Sequence, residues 1–181
     1  MDHRSRAWVR HRLRTLAALE LLNIPLQYVV WFNVLNLPAT TPNLTGFALF
    51  ALLLLEGALY WWLKLRRTDV GFFRLIRWCN LVLLPTGLLY TAWSVAQHPG
   101  SGTIVGLVFA LAGLLEHINY FHVQLMYDTP ADLRWLFTRG FRRSHLSRDL
   151  TRTTRAATAP AQPAQYEAPL APEPPAPDRT D

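Results

Sequence analysis

Residues 47–63 read FALFALLLLEGALYWWL, an apolar run interrupted by a single acid, Glu56. A hydrocarbon core of ~30 Å takes about 20 helical residues. The flanks of this run extend it to 46–65. One end is marked twice: Trp61 and Trp62 suit a headgroup interface, and Lys64, Arg66 and Arg67 follow at once. No two-residue alternation of apolar and polar side chains suggests a strand. The stretch predicts a membrane-spanning helix.

Three further runs have the necessary length, at 16–37, 72–96 and 103–127. The fold class expected is therefore an all-α membrane protein, a bundle of four transmembrane helices over 16–127. The chain of 181 residues is 51% hydrophobic and 17% charged, against about 25% charged in a soluble domain. That excludes a soluble domain. A pI near 10.1 does not signal a nucleic-acid binder, because the basic residues flank apolar runs. Cys79 is the single cysteine, so no intrachain disulfide can form. The first run is too long, and too polar at Glu20, Asn23 and Gln27, for a cleaved signal peptide. It is expected to be a retained anchor.

Charge predicts the threading. All 18 Lys and Arg residues lie in the N-terminal segment 1–15, around the turn between the second and third spans, or after the fourth span. The connections PATTPNLT (38–45) and QHPGSG (97–102) carry none. Positive residues stay cytoplasmic during insertion, so both termini are expected in the cytoplasm. Trp78 and Tyr127 join Trp61 and Trp62 at that interface, and Trp31 and Trp93 fall toward the other. The sequon Asn43-Leu44-Thr45 lies in an outer connection and carries no meaning in a bacterium.

Residues 128–150 are expected to form a cytoplasmic amphipathic segment. Thr129, Pro130 and Asp132 read as a helix start, Leu133, Leu136 and Phe137 share a face, and Gly140 can end the helix. Ser144 can cap a second short helix, HLSRDL. Such a segment either lies on anionic lipid headgroups at the cytoplasmic face or packs under the bundle. From Ala156 on, the chain turns to Ala, Pro, Gln and Glu, and residues 151–181 are expected to be a disordered tail.

Polar residues inside the spans carry the functional question. Threading by topology puts Glu20, Asn23, Glu56, Arg74, Arg77, Asn80, Glu116, His117 and Asn119 in one layer of the cytoplasmic half, with His122 and Gln124 nearby. At 100° per residue, Glu20, Asn23, Gln27 and Trp31 form one stripe, and Glu56, Tyr60 and Leu63 another. Gly106, Ala110 and Gly113 make a small-residue stripe that admits a neighbouring helix. Charges facing lipid would cost about 3 kcal/mol each, so these groups should face inward, with Arg74 or Arg77 paired to a glutamate. Pro25 and Pro85 leave the carbonyls of Leu21 and Leu81 short of a partner. The layer reads either as interhelical glue or as the lining of a site for a small polar ligand, a lipid headgroup or a partner helix.

Metal and cofactor chemistry find no support. A di-iron bundle wants Glu-x-x-His on two helices, whereas the spacings here are Glu20-x-x-Asn23 and Glu116-x-x-Asn119. Haem would need facing histidines on different spans, and only the fourth has any. The leading expectation is a non-enzymatic protein. The alternative is a small membrane enzyme or proton-coupled carrier using Glu56 and Glu116, and the carrier form would need a homo-oligomer.

The stretch from Glu116 to Asp128, EHINYFHVQLMYD, with the basic segment ending at Leu150, resembles a group of small, uncharacterised four-span bacterial membrane proteins. The resemblance implies a membrane location and brings no known activity with it. An Arg-rich composition with a single lysine points the same way, to a GC-rich bacterial genome.

Overall fold

The computed structural model describes residues 3–125, 134, 136–138 and 140–158. They form α1 (His3–Tyr28, continued by a π-helical turn Val29–Val34), α2 (Thr41–Arg66), α3 (Phe73–Gln97), α4 (Ile104–Phe121) and α5 (His145–Thr158). The first four are each long and apolar enough to cross a membrane. The fold is that of a multi-pass, all-helical membrane protein. Tyr127, the proposed helix start at 129–133 and the tail beyond 158 lie outside the described residues.

The centre of the bundle is the contact between α2 and α4. A Cβ on Gly46 would overlap the carbonyl of Gly106, and one on Gly106 would overlap that of Pro42. A Cβ on Gly113 would sit 3.4 Å from the Phe50 backbone. The expected small-residue stripe thus lets two backbones touch, as small residues do where no hydrophobic drive separates helix from lipid. Three apolar clusters stack along this seam. Phe32, Phe50, Leu54, Val105 and Phe109 fill the end away from the arginines. Leu49, Leu53, Leu84 and Ala110 fill the middle. Tyr60, Leu63, Val70, Phe73, Tyr120 and Phe121 fill the basic end, which holds the Arg67 turn and α5.

The helix ends depart from the sequence expectations in three places. First, α1 starts near residue 3 rather than 16, because the basic segment continues the same helix; it then widens into a π-helical turn four residues after Pro25, which cannot donate to Leu21. Second, α2 starts at Thr41 rather than 46. Thr40 caps it and Pro42 occupies the first turn, a start signal inside the segment expected to be a loop. Third, α4 stops at Phe121 rather than 127. The chain there becomes extended, with Gln124 N–H donating to Arg142 O at 2.8 Å and Ser144 N–H to His122 O at 3.2 Å. His122 and Gln124 therefore lie beyond the fourth span.

Asn43 is a second correction of substance. It is wholly buried inside α2, not displayed in a loop. Its amide donates to Pro38 O (2.8 Å) and Ser101 O (2.9 Å), and its oxygen accepts from Gly106 N–H at 2.8 Å. Nothing is left for a glycan, and one side chain ties both neutral connections to the α2/α4 seam.

The basic segment closes as a helix packed under the bundle. Ser144 Oγ accepts from Ser147 N–H at 3.1 Å, the expected cap, and donates to Tyr120 O at 2.5 Å. Leu146 and Leu150 insert into the cluster at the basic end. These anchors carry the helix to Thr158, so residues 151–158, expected within the tail, are helical. Gly140, at φ +76°, donates its N–H to Leu136 O (3.0 Å) and ends the preceding turn as expected.

Asn43→Ala is expected to lower stability by about 2 kcal/mol or more, since three buried backbone groups lose their partner. An SDS-unfolding titration in mixed micelles reads this; wild-type stability would contradict the role given to Asn43.

Candidate functional site

A cavity of about 500 Å³ opens at the basic end between α1, α2, α4 and α5. On α1 its wall is Trp8, Val9, Arg12, Leu13, Leu16 and Glu20. The spacing 8, 12, 16, 20 is one face of a helix. On α2 the wall is Tyr60, Trp61 and Lys64, and on α4 Asn119 and Tyr120. Gln124, Ser144, His145 and Leu146 close the remaining side.

The floor is set by packing. Gly57 has no Cβ, and one there would overlap the Tyr120 hydroxyl. The Tyr120 ring can therefore cross α2 from α4 and donate its O–H to Glu20 Oε1 on α1. This hydrogen bond joins three helices in the region where an unpaired polar group is most costly. Glu116 lies near enough to Glu20 to interact with it electrostatically, and itself accepts from Asn119 at 3.3 Å.

The rim is a latch between α2 and α5. Lys64 Nζ lies 2.8 Å from Asp149 Oδ2, and Tyr60 O–H donates to the same oxygen at 2.8 Å. Lys64 also donates to the Tyr60 hydroxyl at 2.9 Å. Burial opposes the Asp149 charge, but the hydrogen bonds from Lys64 and Tyr60 and the Lys64 charge win, so its pKa falls below the ordinary value. His145 is accessible at the cavity edge, 6.0 Å from the Trp61 ring. Crowding by its neighbours, then the charges of Lys64, Arg148 and Arg142, hold its pKa down to about 4. Arg12 lies 5.4 Å from the Trp8 ring centroid, one turn away on the same face of α1.

The sequence-predicted polar layer does not converge on one point. It separates into pairs. Glu56, 8% exposed, accepts from Asn80 at 2.7 Å between α2 and α3 and lies away from the cavity. The α1 stripe becomes a ladder: Gln27 donates to Asn23 at 3.2 Å and Trp31 to Gln27 at 2.8 Å. His117, 3% exposed, stacks on Phe121 at 4.7 Å, and neither ring nitrogen has a hydrogen-bond partner among the described residues. Arg77 lies close enough to His117 to act on it electrostatically. The expected Arg–Glu pair does not form among the described residues. Arg74 reaches Thr153 Oγ1 at 3.4 Å instead, and the glutamates take neutral donors. A neutral donor satisfies a carboxyl without desolvating a second charge, which a guanidinium pair would require.

Of the predicted site residues, Glu20 and Asn119 line the cavity. Trp8, Arg12, Tyr60, Lys64, Tyr120 and His145 were not singled out as its walls, although the four-residue spacing on α1 was there to be read. Among the described residues, no group of three or more His, Cys, Asp or Glu is placed to hold a metal ion. Compared with family models, curated proteins and solved structures, the chain matches none.

Acid is expected to loosen α5 in two stages. His145 has a folded pKa below its ordinary 6.5, so its contribution is whole above that value and erodes as pH falls from about 6.5 to about 4. Asp149 has a depressed pKa, so its contribution survives to about 3.9 and is lost below. Hydrogen exchange of the α5 amides, corrected for intrinsic rate, reads both stages. His145→Asn should remove the first and Asp149→Asn should weaken docking at neutral pH. Constant protection from pH 7 to 3 would contradict the latch.

Proposed function

We propose that this chain is a four-span protein of the bacterial inner membrane, with both termini cytoplasmic, that binds a small polar or amphipathic molecule in the cavity at its basic end. The observation that carries this reading is the cavity itself. It holds a carboxyl, two phenols, two cations and two indoles around apolar α1 side chains, in a volume that suits a small ligand. Glue alone would have closed this space, as it has around Glu56 and Asn80. The orientation rests on the confinement of every Lys and Arg to one side. The resemblance of 116–150 to small multi-pass bacterial proteins accords with it.

Binding is preferred to the carrier or enzyme alternative for a physical reason. Beyond the cavity floor, the rings of Trp31, Phe47 and Phe50 pack on Phe109 at 5.3–5.5 Å. This plug leaves a blind cavity rather than a path. Glu56 and Glu116, which a proton-coupled carrier would use, are not among the lining residues.

Two measurements test the reading. A reporter fused after Gly100 should register outside the cytoplasm and one after Arg67 inside; the reverse result would overturn the orientation. Native mass spectrometry of the gently extracted chain should show a non-covalent adduct that Leu16→Trp, which fills the cavity, removes. Identical adducts in both proteins would contradict a ligand at this site.

A further inference from the structure

From the order of charges along the cavity, we infer that its occupant is an anionic amphiphile, with a phosphate or carboxylate head at Arg12 and Lys64 and an apolar chain along Leu13 and Leu16. The inference rests on the cavity being a binding site and adds what it binds.

Three features carry it. The first is the vertical sorting of the walls. From Arg12 to Glu20 the α1 backbone rises about 12 Å, and the residues between them that face the cavity are Leu13 and Leu16. A polar solute such as a sugar would meet an apolar wall there, whereas a chain would be buried favourably. The second is the charge at the opening. Arg12 and Lys64 line it, and Arg142 and Arg148 stand close enough to His145 to act on that ring. Asp149 is the acid facing the same group, and its carboxylate is engaged by Lys64 and Tyr60. Among the described residues the local balance is cationic. The His145 ring beside these charges is kept neutral, as its lowered pKa requires, so it can donate to an anion without itself needing a counterion. The third is the indole pair. Trp8 and Trp61 frame the opening at the level where amphipathic rings sit in a membrane interface.

A cationic ligand is the opposed possibility, drawn by Glu20 and the aromatic rings. Glu20, however, already accepts the Tyr120 proton donor, and a cation would pass Arg12 and Lys64 to reach it. The deep Glu20–Tyr120 pair ends the apolar wall.

The test uses the full chain, delipidated in a neutral detergent, and native mass spectrometry. The probes are phosphatidylglycerol, phosphatidylcholine, dodecyltrimethylammonium and inorganic phosphate. Phosphatidylglycerol is expected to bind at least tenfold more tightly than phosphatidylcholine. Arg12→Gln should erase most of that preference, and Arg12→Lys should keep it. Arg12 lies on the cavity wall outside the Tyr60–Lys64–Asp149 latch, so an unchanged melting temperature separates a lost ligand contact from a lost fold. Equal binding of the two lipids, or tighter binding of the ammonium, would overturn the anionic assignment while leaving the cavity as a site. Inorganic phosphate displacing the lipid at equal concentration would assign the site to a free anion and overturn the amphiphile. Lipid binding that Leu16→Trp does not reduce would remove both the inference and the binding reading beneath it.

Discussion

Backbone contact between α2 and α4 governs the rest of this structure. At Gly46 and Gly106 no side chain separates the two helices, and a Cβ on either would strike main-chain atoms of the other. Two consequences follow from that approach. At the neutral end, Asn43 comes within reach of Gly106 N–H and of two loop carbonyls, and binds all three. At the basic end, Tyr120 is brought over Gly57 and meets Glu20 on α1. The same seam therefore closes one end of the bundle and builds the floor of the cavity at the other.

Lipid as a solvent explains how the polar groups are distributed. A carboxyl inside a span takes its partner from the protein, even where, as at Glu20, it borders the cavity. Here the partners are neutral: Asn80 for Glu56, Tyr120 for Glu20, Asn119 for Glu116. The arginines stay toward the basic end, and the ion pairs Lys64–Asp149 and Arg152–Asp149 form there. Charge that is cheap at an interface is used for docking α5. Within the helices, neutral hydrogen bonds do the joining, and Thr91 and Ser94 satisfy themselves on the carbonyls of Gly87 and Tyr90.

Much of this was legible in the sequence, for identifiable reasons. The spans are long apolar runs, and length decides them. The small-residue stripe on α4 and the Glu20–Asn23–Gln27–Trp31 stripe on α1 follow from helical periodicity alone, as do the Ser144 cap and the Gly140 stop from local chemistry. Other features depend on which helices become neighbours, which periodicity does not encode. Glu56 meets Asn80 rather than an arginine because α2 and α3 align at that height. Asn43 looked like a loop residue because Thr40 and Pro42 start the helix inside a polar stretch. The cavity was missed because its walls come from four elements, and because the first span was expected to start at 16, after the basic segment 1–15, whereas that segment supplies the first turns of α1. Had the 8–12–16–20 spacing been followed through that boundary, one wall would have been visible.

Under the proposed orientation, the basic end of the bundle holds a cavity open to cytoplasmic water rather than a sealed polar joint. A cysteine placed at Leu16, in a Cys79→Ser background and in phosphatidylcholine vesicles so that no anionic lipid chain covers this position, tests it directly with a charged, membrane-impermeant thiol reagent. Inside-out vesicles should label and right-side-out vesicles should not. No labelling from either side would mean that the joint is closed, and labelling from the outside would mean that the bundle is inserted the other way.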